Sequence, residues 1–342
     1  MSMNLNKIVN QGIAEWRQKR FRKARDLFLK ALSNCPDPSQ RAILFYNLGL
    51  CYYGDSDYDK AVYHFAKSSD LGHTRANWEL GLSKLHLENL EGLNLFQWRP
   101  DKRIPGFNSP RIPEIKNLRD LEKCQRPLVL NEQGFGDEFL FSRGIYLLED
   151  KDFSYQVYPE NLELFRSWWD GHFFADRKLE WDFIDGHDGW IFSGDLFVLY
   201  SLERGSSLQI KPSPGQTESQ KTGICFRTNE LSPNSDLRSI PQEIFLEIMM
   251  EKNKNLVSLQ KGWALECIES PDLTHFKSTW DVIQGLREIV TIDTSVAHLA
   301  ALSGKKTYLV YEKYLDWRWK IPFYETDIHV LPLEEFKKIN LS

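Results

Sequence analysis

A chain of 342 residues with 27% charged and 42% hydrophobic side chains has the balance of ordinary globular domains and length enough for two or three of them. Its 43 basic and 48 acidic residues leave a formal charge of −5, which excludes a generally basic nucleic-acid binder but not a local patch. Apolar runs stay below the ~18 residues of a membrane span, and the N-terminus lacks the apolar core of a signal peptide. Five scattered cysteines (Cys35, Cys51, Cys124, Cys225, Cys267) form no CxxC pair, so neither a zinc ribbon nor a disulfide framework is indicated and a cytoplasmic location is expected.

The first hundred residues repeat. Gly12, Ala24, Phe28 and Ala31 recur 37 positions later as Gly49, Ala61, Phe65 and Ser68. The order small, small, aromatic, small matches the tetratricopeptide pattern, whose usual period of ~34 is lengthened here by the Pro36-Asp37-Pro38 loop. A third, weaker unit starts near Ala76, has Gly81 as its small position, and ends over Leu93 to Trp98. Small residues let paired helices approach, and large aromatics fill the groove against the next unit. Such an array is either a stabilising cap or a docking surface for a protein partner. Arg17, Lys19, Arg20, Arg22, Lys23 and Arg25 form a basic run that reads as a solvated helix face, with an anionic acceptor such as nucleic acid as the alternative.

Four prolines between Pro100 and Pro113 read as a linker. Pro127 to Asn131 is then a short strand, followed by Glu132-Gln133-Gly134-Phe135-Gly136-Asp137-Glu138 and an apolar-periodic helix through Phe139, Leu140, Ile145 and Leu148. Two glycines between strand and helix permit a tight turn and the close approach of a ligand, although the dinucleotide fingerprint GxGxxG is absent. The carboxylates of Asp137 and Glu138 suit the helix dipole. In the functional reading Asp137 faces a cleft and accepts a proton from an attacking hydroxyl. Phe153 to Tyr158 reads as a strand, Asn161 to Trp168 as a helix, and Leu179 to Ile184 as another strand. Asp185 to Trp190, with two acids and a histidine, reads as a turn rather than a metal site.

A polar stretch from Pro212 to Lys221 reads as a second linker. Strand-helix alternation resumes with Gly223 to Phe226, a helix after Pro241, a strand over Asn255 to Leu259, and a helix over Trp280 to Leu286. A β-branched run from Glu288 to Ile292 and a strand over Lys306 to Tyr311 complete the series. Parallel alternation delivers Arg227, Gln260, Asp293 and, after the last of these strands, Glu312 to one rim. After Asp293, Thr294 or Ser295 caps a helix that Gly304 ends. The free amides at that helix start favour a phosphate, which Arg227 and Arg238 would neutralise bidentately. His298, in the first turn, is either a packed core residue or a ligand contact. Asp316-Trp317-Arg318-Trp319 can stack on and pair with a ligand, or pack between lobes.

The segments Asn131 to Asp137, Val257-Ser258-Leu259-Gln260, Ile292 to Ala300 and Asp316 to Trp319 resemble, in the same order, those of bacterial tetratricopeptide proteins with a heptosyltransferase-like glycosyltransferase domain. The resemblance covers nearly the whole chain. It implies an α/β fold, a GT-B-type pair of Rossmann-like lobes preceded by an all-α repeat segment. It also implies a nucleotide-sugar donor bound mainly to the second lobe, with no metal or other cofactor. Asp137 resembles the acid that serves as base or acceptor-site residue. Asp293, Thr294, Ser295 and His298 resemble the donor diphosphate and sugar site, Arg227 and Arg238 its phosphate contacts. Gln260 joins them as a donor-side residue, and Gln133, Gly134, Gly136, Glu138, Asp316 and Arg318 are further cleft candidates. Two departures stand out. Ala300-Ala301-Leu302-Ser303-Gly304 replaces the more usual Ala-Gly-Ala-Leu-Gly, and the chain lacks the Ser-Pro-Trp-Tyr-Pro run common after the last motif.

The expected organisation is therefore repeats over residues 1–99, a linker over 100–125, an acceptor-side lobe over 126–211, a linker over 212–221 and a donor-side lobe over 222–342. The expected function is an inverting, metal-independent glycosyltransferase whose acceptor is a glycan, lipid-linked glycan, protein or modified DNA. Its alternative is a non-catalytic scaffold built on a degenerate glycosyltransferase domain.

Overall fold

The computed structural model describes residues 3–100, 111–176, 179–204, 219–230, 235–253, 255–264, 267–324 and 326–341. Residues 101–110 of the first linker, 212–218 of the second, 205–211 at the end of the expected acceptor-side lobe, and Ser232 and Asn234 of the loop before Arg238 lie outside these. The chain divides into two compact units, residues 1–103 and 104–342.

The first unit is helical. Helices α1 (Met3–Arg17) and α2 (Phe21–Ser33) form one pair, α3 (Pro38–Gly54) and α4 (Tyr58–Asp70) the next, and α5 (Arg75–His86) pairs with a 3-10 segment over Leu90–Trp98. Helix α3 starts where Asp37 accepts the Gln40 amide at 3.2 Å and Pro38 presets the first turn. The repeated glycines are contact points: a Cβ on Gly12 would lie 2.6 Å from the Phe28 ring, and one on Gly49 2.5 Å from Phe65. In the third unit Gly81 instead faces the backbone of Gly92 at 3.0 Å, because no large aromatic follows it at the same spacing. The turn inside each pair is the same. Lys19, Ser56 and Glu88 take left-handed φ of 56°, 58° and 59°. The amides of Arg20, Asp57 and Asn89 reach back five residues to Glu15, Tyr52 and Lys84, a Schellman closure normally given to glycine.

The second unit carries two parallel sheets. Strands β1 (Pro127–Leu130), β2 (Ser154–Gln156), β3 (His172–Phe174) and β4 (Gly189–Phe192) lie in the order β3-β2-β1-β4. Strands β5 (Thr222–Cys225), β6 (Leu256–Ser258), β7 (Glu288–Thr291), β8 (Lys306–Tyr311) and β9 (Ile328–Pro332) lie in the order β6-β5-β7-β8-β9. Every residue of β1, β2, β4, β5, β6 and β7 is buried, as expected when helices cover both faces of a parallel sheet. These are two Rossmann-like α/β lobes, the pair that the sequence led us to expect. In each sheet the chain runs one way from its first strand and then returns to that strand's other side. The reversals fall between β1 and β4 and between β5 and β7, where open α/β sheets bind ligands at their carboxyl ends. One apolar core runs through both lobes, with Phe139 against Phe276 at 5.1 Å and Trp168 against Trp280 at 4.8 Å.

Two readings of the sequence change here. Leu179 to Ile184 is not a strand: Trp181–Asp185 is a helical turn. Its apolar alternation is not paired with burial, since Trp181 stays 41% exposed and lies under the Arg111 guanidinium. Part of the first linker is built into the lobe: Ile115 donates to the Trp190 carbonyl at 2.8 Å and Trp190 to that of Pro113 at 2.9 Å, ahead of a short helix over Leu118–Lys123. Among the described residues no helix is long and apolar enough to cross a membrane.

Candidate active site at the junction of two strand-to-helix turns

In the second lobe, β7 ends beside β5 and Asp293 follows at its carboxyl end. The acid is 7% exposed and both its oxygens are taken. Oδ1 accepts the Trp319 indole N–H at 2.8 Å, and Oδ2 lies 3.0 Å from the Arg238 Nε. Arg238 also donates to the Asp293 main-chain carbonyl, at 2.5 Å from one terminal nitrogen and 3.1 Å from Nε. Burial pushes the Asp293 carboxyl up, against the pull of Arg238 and the indole. Thr294 is the extended residue before the helix Ser295–Leu302, and its side chain makes no capping bond. Cys225, at the end of β5, places its Sγ 3.9 Å from the Thr294 hydroxyl.

His298 is 3% exposed. Its Nδ1 shares a hydrogen bond with the Tyr324 hydroxyl at 2.5 Å, and its ring packs on Trp319 at 4.6 Å. Burial, with Arg318, Arg143 and Arg238 nearby, pushes its pKa well below the usual histidine value, so the imidazole is neutral. Arg227 and Gln260 stand on the same rim. Gln260 accepts the Arg227 amide at 3.0 Å, tying the ends of β5 and β6. The Arg227 guanidinium is largely exposed, 3.7 Å from Glu230.

In the first lobe, the β1 turn holds Gln133 at a left-handed φ of 62°, its carbonyl accepting the Tyr158 hydroxyl. Gly134 precedes the helix Phe135–Phe141, with its amide 3.4 Å from Asp137 Oδ2. Gly136 touches the other lobe: a Cβ there would sit 2.9 Å from His298 Cδ2 and 3.8 Å from Ser295 Cα. The two turns are thus in contact. Glu138 does not join the cleft, contrary to the expectation for it. It is fully buried and accepts the Tyr158 amide at 2.9 Å and the Asn161 side chain. Burial pushes its carboxyl up to about 8, against those two hydrogen bonds.

The Asp316 to Trp319 segment joins both turns. Asp316 accepts the Arg318 amide at 3.0 Å and opens a one-turn helix, Trp317–Lys320. Trp319 reaches Asp293, while Arg318 reaches Asp137 Oδ1 at 2.5 Å and Asp316 Oδ1 at 2.8 Å. Burial opposes the Arg318 charge, but Asp137 and Asp316 outweigh it and hold its pKa above the ordinary arginine value.

Residues 4–71 match the tetratricopeptide repeat family model. The match spans the first two helix pairs of the repeat segment. No curated protein sequence matches the chain. Among solved structures, the E. coli heptosyltransferase WaaC with ADP is 12% identical, with a TM-score of 0.43 over 60% of this chain and 93% of its own. A mutant O-GlcNAc transferase of Thermobaculum terrenum is 10% identical, with a TM-score of 0.30 over 97% of this chain and 88% of its own.

Within the tetratricopeptide segment, the basic run is partly neutralised: Arg20 pairs with Glu15 and Arg25 with Asp55. In the α/β unit, sequence reasoning missed Arg143, Phe323 and Tyr324. Arg143 is buried in the first lobe, donates to the Phe323 carbonyl, and lies 4.1 Å over the Tyr324 ring. An arginine inside the largely apolar stretch from Phe139 to Leu148 was the available signal. Tyr324 carried none, since its role depends on the path of the chain after Trp319. Among the described residues no cluster of three or more His, Cys, Asp or Glu side chains could hold a metal ion.

Proposed function

We propose that the α/β unit transfers a sugar from a nucleotide-diphosphate sugar to an acceptor hydroxyl, residues 126–211 serving the acceptor and 222–342 the donor. One observation carries the reading: Gly136 of the first turn lies against His298 and Ser295 of the second, with Asp137 and Asp293 bridged by neighbouring side chains of one segment. Ligands of such sheets sit where the strand order reverses, and both reversals open on this junction.

The acceptor oxygen forms a bond to the anomeric carbon as the bond from that carbon to the diphosphate oxygen breaks. The hydroxyl proton passes to Asp137, and the electron pair leaves with the nucleoside diphosphate. Attack opposite the leaving group inverts the anomeric centre. The amides at Thr294 and Ser295 and the exposed Arg227 guanidinium of the rim stabilise the departing diphosphate, an electrostatic contribution of about 3–4 kcal/mol at comparable oxyanion sites. Asp293 is assigned an indirect part: with Arg238 and Trp319 on it, it fixes the turn whose amides face the phosphates. The tetratricopeptide segment is assigned to a protein partner or acceptor.

Calorimetric titration of UDP-, GDP- and ADP-sugars, with mass spectrometry of what the protein retains from a mixture, tests this directly. Heat and retention with one of them is the expected result. Silence with all of them favours the scaffold reading, which gains weight from the Asp137 carboxylate being engaged by Arg318.

A further inference from the structure

Resting on the glycosyl-transfer reading above, we infer that Asp137 and the donor diphosphate compete for the Arg318 guanidinium, so that donor binding itself releases the carboxylate that takes the acceptor proton. The geometry gives Arg318 both a reason to move and a way to stay. Its terminal nitrogens are divided between Asp137 Oδ1, at 2.5 Å, and Asp316 Oδ1, at 2.8 Å. Its Nε is buried and has no hydrogen-bond partner among the described residues. The Trp317 ring lies 4.8 Å from the guanidinium carbon, a flat apolar support across which the group can turn. Asp316 belongs to the same short helix and accepts the Arg318 amide as well, so it keeps hold of the guanidinium when Asp137 lets go.

The other arginines at the junction are differently committed. Arg238 is spent on the Asp293 carboxylate and carbonyl. Arg227 is 61% exposed at its side chain and turns to Glu230. Arg318 therefore has spare donors beside the base. Asp137 offers one negative charge, with its side chain 20% exposed. A diphosphate offers at least two charges and a row of oxygens that a planar fork can take in pairs, so it is the stronger competitor. The consequence is an ordered site: while Arg318 holds Asp137, the carboxylate oxygen that would meet the acceptor is occupied by a cation. Once the guanidinium sits on phosphate, the same oxygen faces the acceptor.

The test is a double-variant cycle on the full chain, with ADP, GDP and UDP titrated calorimetrically into wild type, D137N, R318Q and D137N/R318Q. Removing the competing carboxylate in D137N is expected to tighten the nucleoside diphosphate that binds by ~10-fold, and R318Q to weaken it by ~10-fold or more, the scale of a charge-assisted pair. In the double variant the D137N gain should vanish. A gain that persists without Arg318 means plain repulsion between Asp137 and phosphate and overturns the competition. So does a D137N gain below about threefold when wild type binds a nucleoside diphosphate, in which case the donor-site reading stands alone. If R318Q does not fold, R318K replaces it. Lysine keeps the charge but gives up the fork, and is expected to lose about threefold or more in affinity; wild-type affinity in R318K overturns the proposal. No heat from any of the three with wild type and D137N alike removes both the inference and the function it rests on.

Discussion

Asp137 and Asp293 both follow strands that flank a chain reversal, Asp137 in the first turn of the helix after β1 and Asp293 two residues past β7, ahead of its helix, yet they are held in opposite ways. Asp293 has an indole on one oxygen and an arginine on the other and is 7% exposed. Asp137 has one oxygen on Arg318, a weak 3.4 Å approach from the Gly134 amide on the other, and a side chain 20% exposed. An acid with both oxygens enclosed cannot take up a proton from a substrate without breaking its own surroundings. An acid with one cation and an open side can, once that cation has moved. The difference separates the two acids: one is enclosed and ties its turn together, and the other keeps an open side. Glu138, next in chain to Asp137, is a third case, sealed in the core on Tyr158 and Asn161.

The largest effect that would test this contrast is on turnover. Asp137→Asn should cut transfer by about 10²–10⁴-fold, the usual share of a positioned base, with little change in the unfolding midpoint. Unchanged turnover in a single-turnover assay would erase the distinction between the two acids. Next comes pH. Because the folded Glu138 carboxyl titrates near 8 and its ordinary value is 4.5, the folded state holds the extra proton between those values. Stability must therefore fall as pH rises from about 4.5 to about 8 and level off above, by several kcal/mol in all. In Glu138→Gln that slope should be absent in denaturant titrations across the window. The Asn161 carbonyl oxygen, buried without a partner, can accept from the new amide once the Asn161 side chain turns over. A slope that persists would place the titration elsewhere. Smaller again is Asp293→Asn, which leaves Arg238 half-buried against a neutral group. A loss of about 2–3 kcal/mol is expected, below the full cost of breaking a buried pair because the arginine is 20% exposed. Urea unfolding of the variant measures it.

Much of this was legible in the chain. The 37-residue offset located the helix pairs, the glycine-bearing turn at residue 134 and the strand end at residue 293 located the junction, and the strand over Lys306–Tyr311 was read to its ends. What failed was orientation. Residues 137 and 138 are one helical step apart, about 100° around the axis, and which of them is sealed in is decided by Tyr158 and Asn161 in the turn after β2, a non-local fact. Strand β3 has only three residues and follows Gly171 at φ 155°, too short for a period. The left-handed turns at Lys19, Ser56 and Glu88 carry no glycine to announce them. The Arg318 bridge joins positions far apart in sequence, and its four-residue motif named the participants without naming their partners.

The smallest expected effect probes the contact on which the comparison depends. A methyl at residue 136 would lie 2.9 Å from His298 Cδ2 and 3.3 Å from its Nε2, closer than side-chain carbons tolerate. The imidazole cannot easily yield, since Tyr324 holds its Nδ1 and Trp319 packs against its face. The first turn must then withdraw, at a cost of about 1–2 kcal/mol for one added methyl in a filled site. Gly136→Ala should show that loss in urea unfolding, and the same change made in His298→Ala should not, because the truncated side chain leaves room for the new methyl. A coupling of about 1 kcal/mol between the two substitutions is the signature of direct contact. Additive losses would mean that the turns do not meet, and that the acids at 137 and 293 belong to separate sites.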